Sequence, residues 1–154
     1  MKIVVNKCFG GFGLSPKAIK RISQLQRKEC YFFKDGLKND YKEITLKQAE
    51  GDIFFSAFSV PNPNEYLQEG DWRAMTIEER QAQNARFDAI SLRSRYDYEE
   101  RTNPLLIQVV EELGEKAASG KLALLKIIEI PDGIEWEIDD YDGVETIREQ
   151  HRSW

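Results

Sequence analysis

The strongest chemical signal in the sequence is a glycine-rich turn, Gly10-Gly11-Phe12-Gly13, set between an apolar β-branched run and Ser15-Pro16. A strand passing through such a turn into a capped helix gathers unpaired backbone N–H groups and the positive helix end at one point, which is how phosphates and other anions are held. Gly10, Gly11, Phe12, Gly13 and Ser15 are therefore the candidate anion cradle. The turn lacks the Walker lysine and the GxGxxG spacing, and a tight reversal needing positive φ accounts for the glycines more simply. Phe9 and Phe12 offer a stacking surface for a purine, although aromatics beside such a turn commonly join the core.

Other candidate groups are scattered. The carboxylates of Asp139-Asp140-Tyr141-Asp142 could gather Mg²⁺ or Ca²⁺, but EF-hand spacing is absent. A solvated strand end followed by Asp142 as a helix N-cap, with Glu145 closing a capping box, is the simpler reading. Arg101, Arg148 and Arg152 would serve a phosphate only if they converge on the glycine turn; a charge on a helix face is usually solvated. The single histidine, His151, falls in step with Val144, Ile147 and Trp154 at helical spacing, which suits the edge of a core better than a general base. Cys8 and Cys30 have no CxxC spacing and no nearby histidine pair, so neither zinc nor a disulfide framework is expected. No GxSxG, HExxH or Walker signature occurs. Neither a catalytic set nor a cofactor is expected.

The elements that must position these groups follow from local signals. Lys2 to Phe9 reads as a buried strand. Ser15 suits an N-cap and Pro16 the first helical position, opening a helix to about Lys28 with Ile19, Ile22 and Leu25 on its apolar stripe. Between Cys30 and Arg101 the pattern is less regular: Asp35-Gly36 and Asn39-Asp40 signal turns, Tyr41 to Ile44 a short strand, and Thr45 a cap for one turn of helix. Asp52 to Val60 reads as a strand closed by Pro61-Asn62-Pro63-Asn64, and 65–75 as loop. Thr76 to Glu79 has capping-box form and starts a polar helix to about Ile90. Asn103 and Pro104 open a helix carrying Leu106, Val109, Val110, Leu113 and Ala117 inward as far as Ser119-Gly120, with Gly114 inside it for close packing. Leu122 to Ile138 reads as a hairpin turning at Pro131-Asp132-Gly133, Trp136 facing inward, and a last helix begins near Asp142. The expected fold is one α+β domain over 1–154 with a mostly antiparallel sheet.

A chain of 154 residues can bury a core without disulfides or metal. Its 41% hydrophobic and 32% charged residues are those of an ordered globular protein. A net charge of −5 is the wrong sign for a nucleic-acid binder. No apolar run approaches the length of a membrane span and the N-terminus turns polar too soon for a signal peptide, so a cytoplasmic protein is expected.

Three stretches together carry a resemblance: Ile3 to Ser15; Glu100-Arg101-Thr102-Asn103-Pro104-Leu105 followed by Val109 to Gly114; and Ile130-Pro131-Asp132-Gly133 through Asp140-Tyr141-Asp142-Gly143 to His151-Arg152-Ser153-Trp154. They resemble a family of small phage and prophage proteins usually left uncharacterised, whose shorter relatives lack much of Tyr31 to Arg95. The resemblance implies a phage accessory protein in the host cytoplasm, with 31–95 as an elaboration inserted in a compact core. Asn103 stands where many relatives have Asp, which leaves it a capping role. The chain is also similar to phage proteins that bind nucleotide-derived immune signals and so disarm host defence. The resulting expectation is a non-enzymatic, homo-oligomeric protein that sequesters a phosphate-bearing nucleotide-derived ligand. Gly10, Gly11, Phe12, Gly13 and Ser15 would hold the phosphate, Arg101 and Arg152 supply cations, and Tyr141 or Trp154 stack. Two rivals stand beside it: a metal-dependent hydrolase of a nucleotide signal using Asp139, Asp142 and His151, and an inhibitor that touches a host protein.

Overall fold

The computed structural model describes residues 1–35, 40–67 and 72–150. It is α+β, and every strand pair in it is antiparallel. The chain divides into two compact units, one made of 1–22 with 94–154 and the other of 23–93. No helix among the described residues is long and apolar enough to cross a membrane.

In the first unit β1 (Lys2–Asn6) pairs with β5 (Leu125–Glu129), from Lys2 opposite Glu129 to Asn6 opposite Leu125. Ile3, Val4 and Val5 are wholly buried, as a strand apolar on both faces requires. α1 (Pro16–Leu25) is capped by Ser15, whose Oγ accepts from the Ala18 N–H at 3.2 Å. It stops short of Lys28 because Arg27 takes a left-handed φ of 56°, with Lys28 N–H returned to Ser23 O and Arg27 N–H to Gln24 O, a Schellman ending. α4 (Pro104–Leu113) begins where Asn103 Oδ1 accepts from the Leu105 and Leu106 N–H groups, and it packs on β1 and β5 through elements that bury Leu106, Val109 and Val110. Gly114 lies not inside this helix but between it and α5 (Glu115–Ala118), at φ 84°. A Cβ there would meet nothing within 4 Å, so backbone conformation and not close packing calls for the glycine.

The C-terminal third differs most from the sequence reading. β5 is taken by β1, and the predicted partner, β6 (Trp136–Tyr141), pairs instead with β7 (Val144–Glu149). The expected final helix is thus a strand. Asp142 (φ 52°) and Gly143 (φ 87°) form the two left-handed positions of a type I′ turn, and β-branched Val144, Thr146 and Ile147 continue the ladder. The alternation along β6 holds, with Trp136 half-buried and Glu135 and Glu137 exposed.

The second unit holds β2 (Tyr31–Asp35) between β3 (Tyr41–Ile44) and β4 (Ser56–Phe58). Phe33, Phe58, Leu67 and Ile90 form its core. Thr45 and Thr76 each make the expected capping box, opening α2 (Leu46–Gly51) and α3 (Ile77–Ile90). β4 is shorter than the predicted strand because the Asp52 carboxylate accepts from the Ile53 and Phe54 N–H groups and turns the chain, leaving both side chains exposed. Pro63–Glu65, expected to join the surrounding loop, form a 3₁₀ turn. Most of the Asp35-Gly36 and Asn39-Asp40 turns, residues 68–71 of the expected loop, and His151, Arg152 and Trp154 lie outside the described residues.

Candidate functional site

The glycine turn is anchored from beneath by Asn6, the last residue of β1 and wholly buried. Its Nδ2 donates to Cys8 O and to Gly143 O, both at 2.6 Å, and its Oδ1 accepts from the Leu124 N–H at 2.8 Å. One side chain thereby ties the turn, the tip of the β6–β7 hairpin and the approach to β5 together, with its donors and acceptor satisfied. Two glycines let the backbones meet. A Cβ on Gly10 would fall 1.8 Å from Leu122 O, and one on Gly143 would fall 2.7 Å from Gly11 N. Gly11, at φ 80°, makes the expected reversal, while Gly13 does not have positive φ.

The backbone donors divide at Leu14. Leu14 N–H goes to Ser94 O and Ser15 N–H to Ala118 O, both at 2.8 Å. The Ser15 hydroxyl donates to Ala117 O at 2.6 Å while capping α1. Ser15 is thus engaged in holding α1 to the end of α5. By contrast, the N–H groups of Gly10, Gly11, Phe12 and Gly13 have no acceptor among the described residues. Two rings open to solvent belong to the segments that meet here: Phe9, 70% exposed and next to Gly10 in the chain, and Tyr141, 78% exposed and two residues before Gly143, whose backbone packs on Gly11; Leu122, which packs on Gly10, and Leu124 are exposed as well. Phe12 does not join this surface; it is buried edge-on to Tyr96.

Arg101 is placed differently from its expected role as a phosphate cation. It is 2% exposed and forms a bidentate pair with Glu145, Nη1 to Oε2 and Nη2 to Oε1, each at 2.8 Å. Its Nε donates to Tyr96 O, and the guanidinium lies 3.6 Å from the Phe12 ring centroid. Glu145, read from sequence as part of a capping box, is 1% exposed and also accepts from the Asn6 N–H. The pair joins segments far apart in sequence, and no local pattern announces it. Arg101 therefore stiffens the floor of the turn and leaves the surface charge to others.

The acidic stretch also has structural partners. Asp139 pairs with Arg148 at 2.5 Å, and Asp140 accepts from the Gly143 N–H and the Tyr98 hydroxyl. Burial of the phenol, reinforced by the hydrogen bond to Asp140, raises the Tyr98 pKa above its ordinary value. No group of three or more His, Cys, Asp or Glu residues among the described residues is placed to hold a metal ion. A separate open cleft of about 320 Å³ lies in the same unit, lined by Ile128, Ile130, Ile134, Trp136 and Ile147 with Lys7 and Glu149 among its polar groups.

Comparison of the chain with protein-family models, curated proteins and solved structures gives no match.

Proposed function

We propose that this chain is a non-enzymatic phage accessory protein of the host cytoplasm, homo-oligomeric, that sequesters a nucleotide-derived signal at the glycine turn. The observation that carries the reading is the run of four backbone N–H groups, Gly10 to Gly13, without acceptors among the described residues, with the exposed rings of Phe9 next to it in the chain and of Tyr141 on the hairpin whose Gly143 packs on Gly11. Rings of this kind stack on a base, and backbone donors suit a phosphate oxygen. With Arg101 consumed by Glu145 and with Asp140 and Asp142 at the neighbouring hairpin tip, the surface favours a ligand carrying little negative charge. A cyclic or singly phosphorylated compound fits this better than a polyphosphate.

A second reading, contact with a host protein, is favoured by exposed Leu122 and Leu124, which extend the aromatic surface with aliphatic area that a nucleotide does not need. Calorimetry of the purified protein with cyclic dinucleotides and ADP-ribose derivatives separates the two. Under the first reading Phe9→Ala and Tyr141→Ala each weaken binding roughly tenfold, the lower range for lost base stacking, with unchanged melting. Absence of binding to any of these compounds by the unaltered protein, together with host-protein capture that Phe9→Ala abolishes, overturns the first reading in favour of the second.

A further inference from the structure

We infer that the outer edge of β6 is an interaction surface that accepts an extended, basic segment of a partner protein as an added strand. The register decides which groups face outward. Gln150 N–H donates to Glu135 O, so the hydrogen-bonded pairs of the hairpin are Glu137 with Arg148, Asp139 with Thr146 and Tyr141 with Val144. The N–H and C=O groups of Trp136, Ile138 and Asp140 consequently point away from β7, and none has a partner among the described residues.

On the other strands, side chains and loops take up some of the outward groups. On β5 the Leu125 N–H is taken by Ser119 Oγ and the Ile127 N–H by Glu115 Oε1. On β1 the Val4 N–H goes to Arg101 O. In the second unit the Asn64 amide receives the Tyr41 N–H and donates to Tyr41 O, and β4 is bridged from Phe58 to Ser91. β7 is tied through Lys7 Nζ to Glu145 O. Side chains and loops thus tie down part of each of these edges, although Ile147 and Glu149 on β7 also keep outward main-chain groups without a partner among the described residues; β6 offers alternate unpaired donors and acceptors over its whole length, the template for strand addition.

Charge selects the occupant. Glu135, Glu137, Asp139 and Asp140 lie along or beside the strand, and of these Asp139 is paired with Arg148. A second copy pairing edge to edge about Ile138 would set Glu137 opposite Asp139, a repulsive cross-strand pair. A strand with lysine or arginine at alternate positions meets complementary charge instead. Half-buried Trp136 and Ile138 give its intervening side chains an apolar neighbour.

The test titrates the full chain with a short fluorescein-labelled peptide alternating lysine and valine. Its controls are the same peptide with glutamate for lysine and one N-methylated at every second amide. The basic peptide binds saturably and shifts the amide resonances of Trp136, Ile138 and Asp140; N-methylation and Glu137→Lys each weaken it about tenfold or more. Ile138→Pro removes an outward N–H while sparing the ladder; should it fail to fold, the N-methylated peptide still decides. No binding by the unaltered protein, equal binding of the N-methylated peptide, or shifts confined to other segments would overturn the inference.

Discussion

Replacing Glu145 by glutamine keeps the shape of the side chain and removes its charge, which makes it a direct probe of the floor beneath the glycine turn. Glu145 accepts three hydrogen bonds, two from Arg101 and one from the Asn6 N–H. Glutamine has a single acceptor oxygen, so whichever way its amide sits, the NH₂ group faces a donor: Arg101 Nη2 in one orientation, Asn6 N and Arg101 Nη1 in the other. The guanidinium, 2% exposed, also loses its counter-charge. Breaking a buried pair from one side costs about 3–5 kcal/mol, which for a chain of this length lowers Tm by about 10 °C. In a double-mutant cycle, Arg101→Met with Glu145→Leu should cost about 2–3 kcal/mol less than the sum of the single changes. It will not restore full stability, because the Asn6 N–H is still stranded. Two units need not unfold together, so the assay is urea-dependent hydrogen exchange at the β1 amides, which reports on the unit containing the pair. A cost for Glu145→Gln below about 1 kcal/mol, or strict additivity in the cycle, would refute the reasoning.

Gly11→Ala should cost about 1–2 kcal/mol for its positive φ alone, whereas Gly10→Ala, which must push Leu122 aside, should cost more; chemical denaturation gives the order, and the reverse order contradicts the packing described. Glu112 should titrate below the usual glutamate range, because Arg21 Nε donates to it at 2.7 Å and Gln108 supports it. Its contribution to stability is present above the unfolded glutamate pKa and is lost as pH falls through the folded one; carbon NMR titration should show the value rising toward normal in Arg21→Ala. Asn103→Ala should cost about 1 kcal/mol by stripping the cap from α4, measured as a shift in denaturation midpoint at unchanged m-value.

What the sequence discloses here is what a few adjacent residues decide. Ser15-Pro16, Thr45, Thr76 and Asn103-Pro104 each mark a helix start that the structure contains, because a cap is satisfied within its own first turn. Pairing partners are not local. Pro131-Asp132-Gly133 looks like a hairpin turn, yet β5 is claimed by β1 from the opposite end of the chain, and the closing turn is Asp142-Gly143, whose capping-box appearance competed with its hairpin signal. The exposure of Tyr141 at a hairpin tip is legible locally, because the Asp142-Gly143 turn beside it has solvent on its outer side. The fate of Arg101 is not, because Glu145 and Asn6 become its neighbours only after β7 and β1 have found their places.

The β1–β5 pairing also sets an order of events during synthesis. Met1 N bonds to Ile130 O, 129 positions away, so β1 leaves the ribosome more than 100 residues before its partner β5. At roughly 5–20 residues per second that interval is on the order of ten seconds, during which Ile3, Val4 and Val5 are uncovered while the residues of 23–93 already have their own strand partners in hand. The nascent chain is therefore open to chaperone capture or aggregation through β1, and ribosome-stalled chains ending before Leu125 should expose it to both.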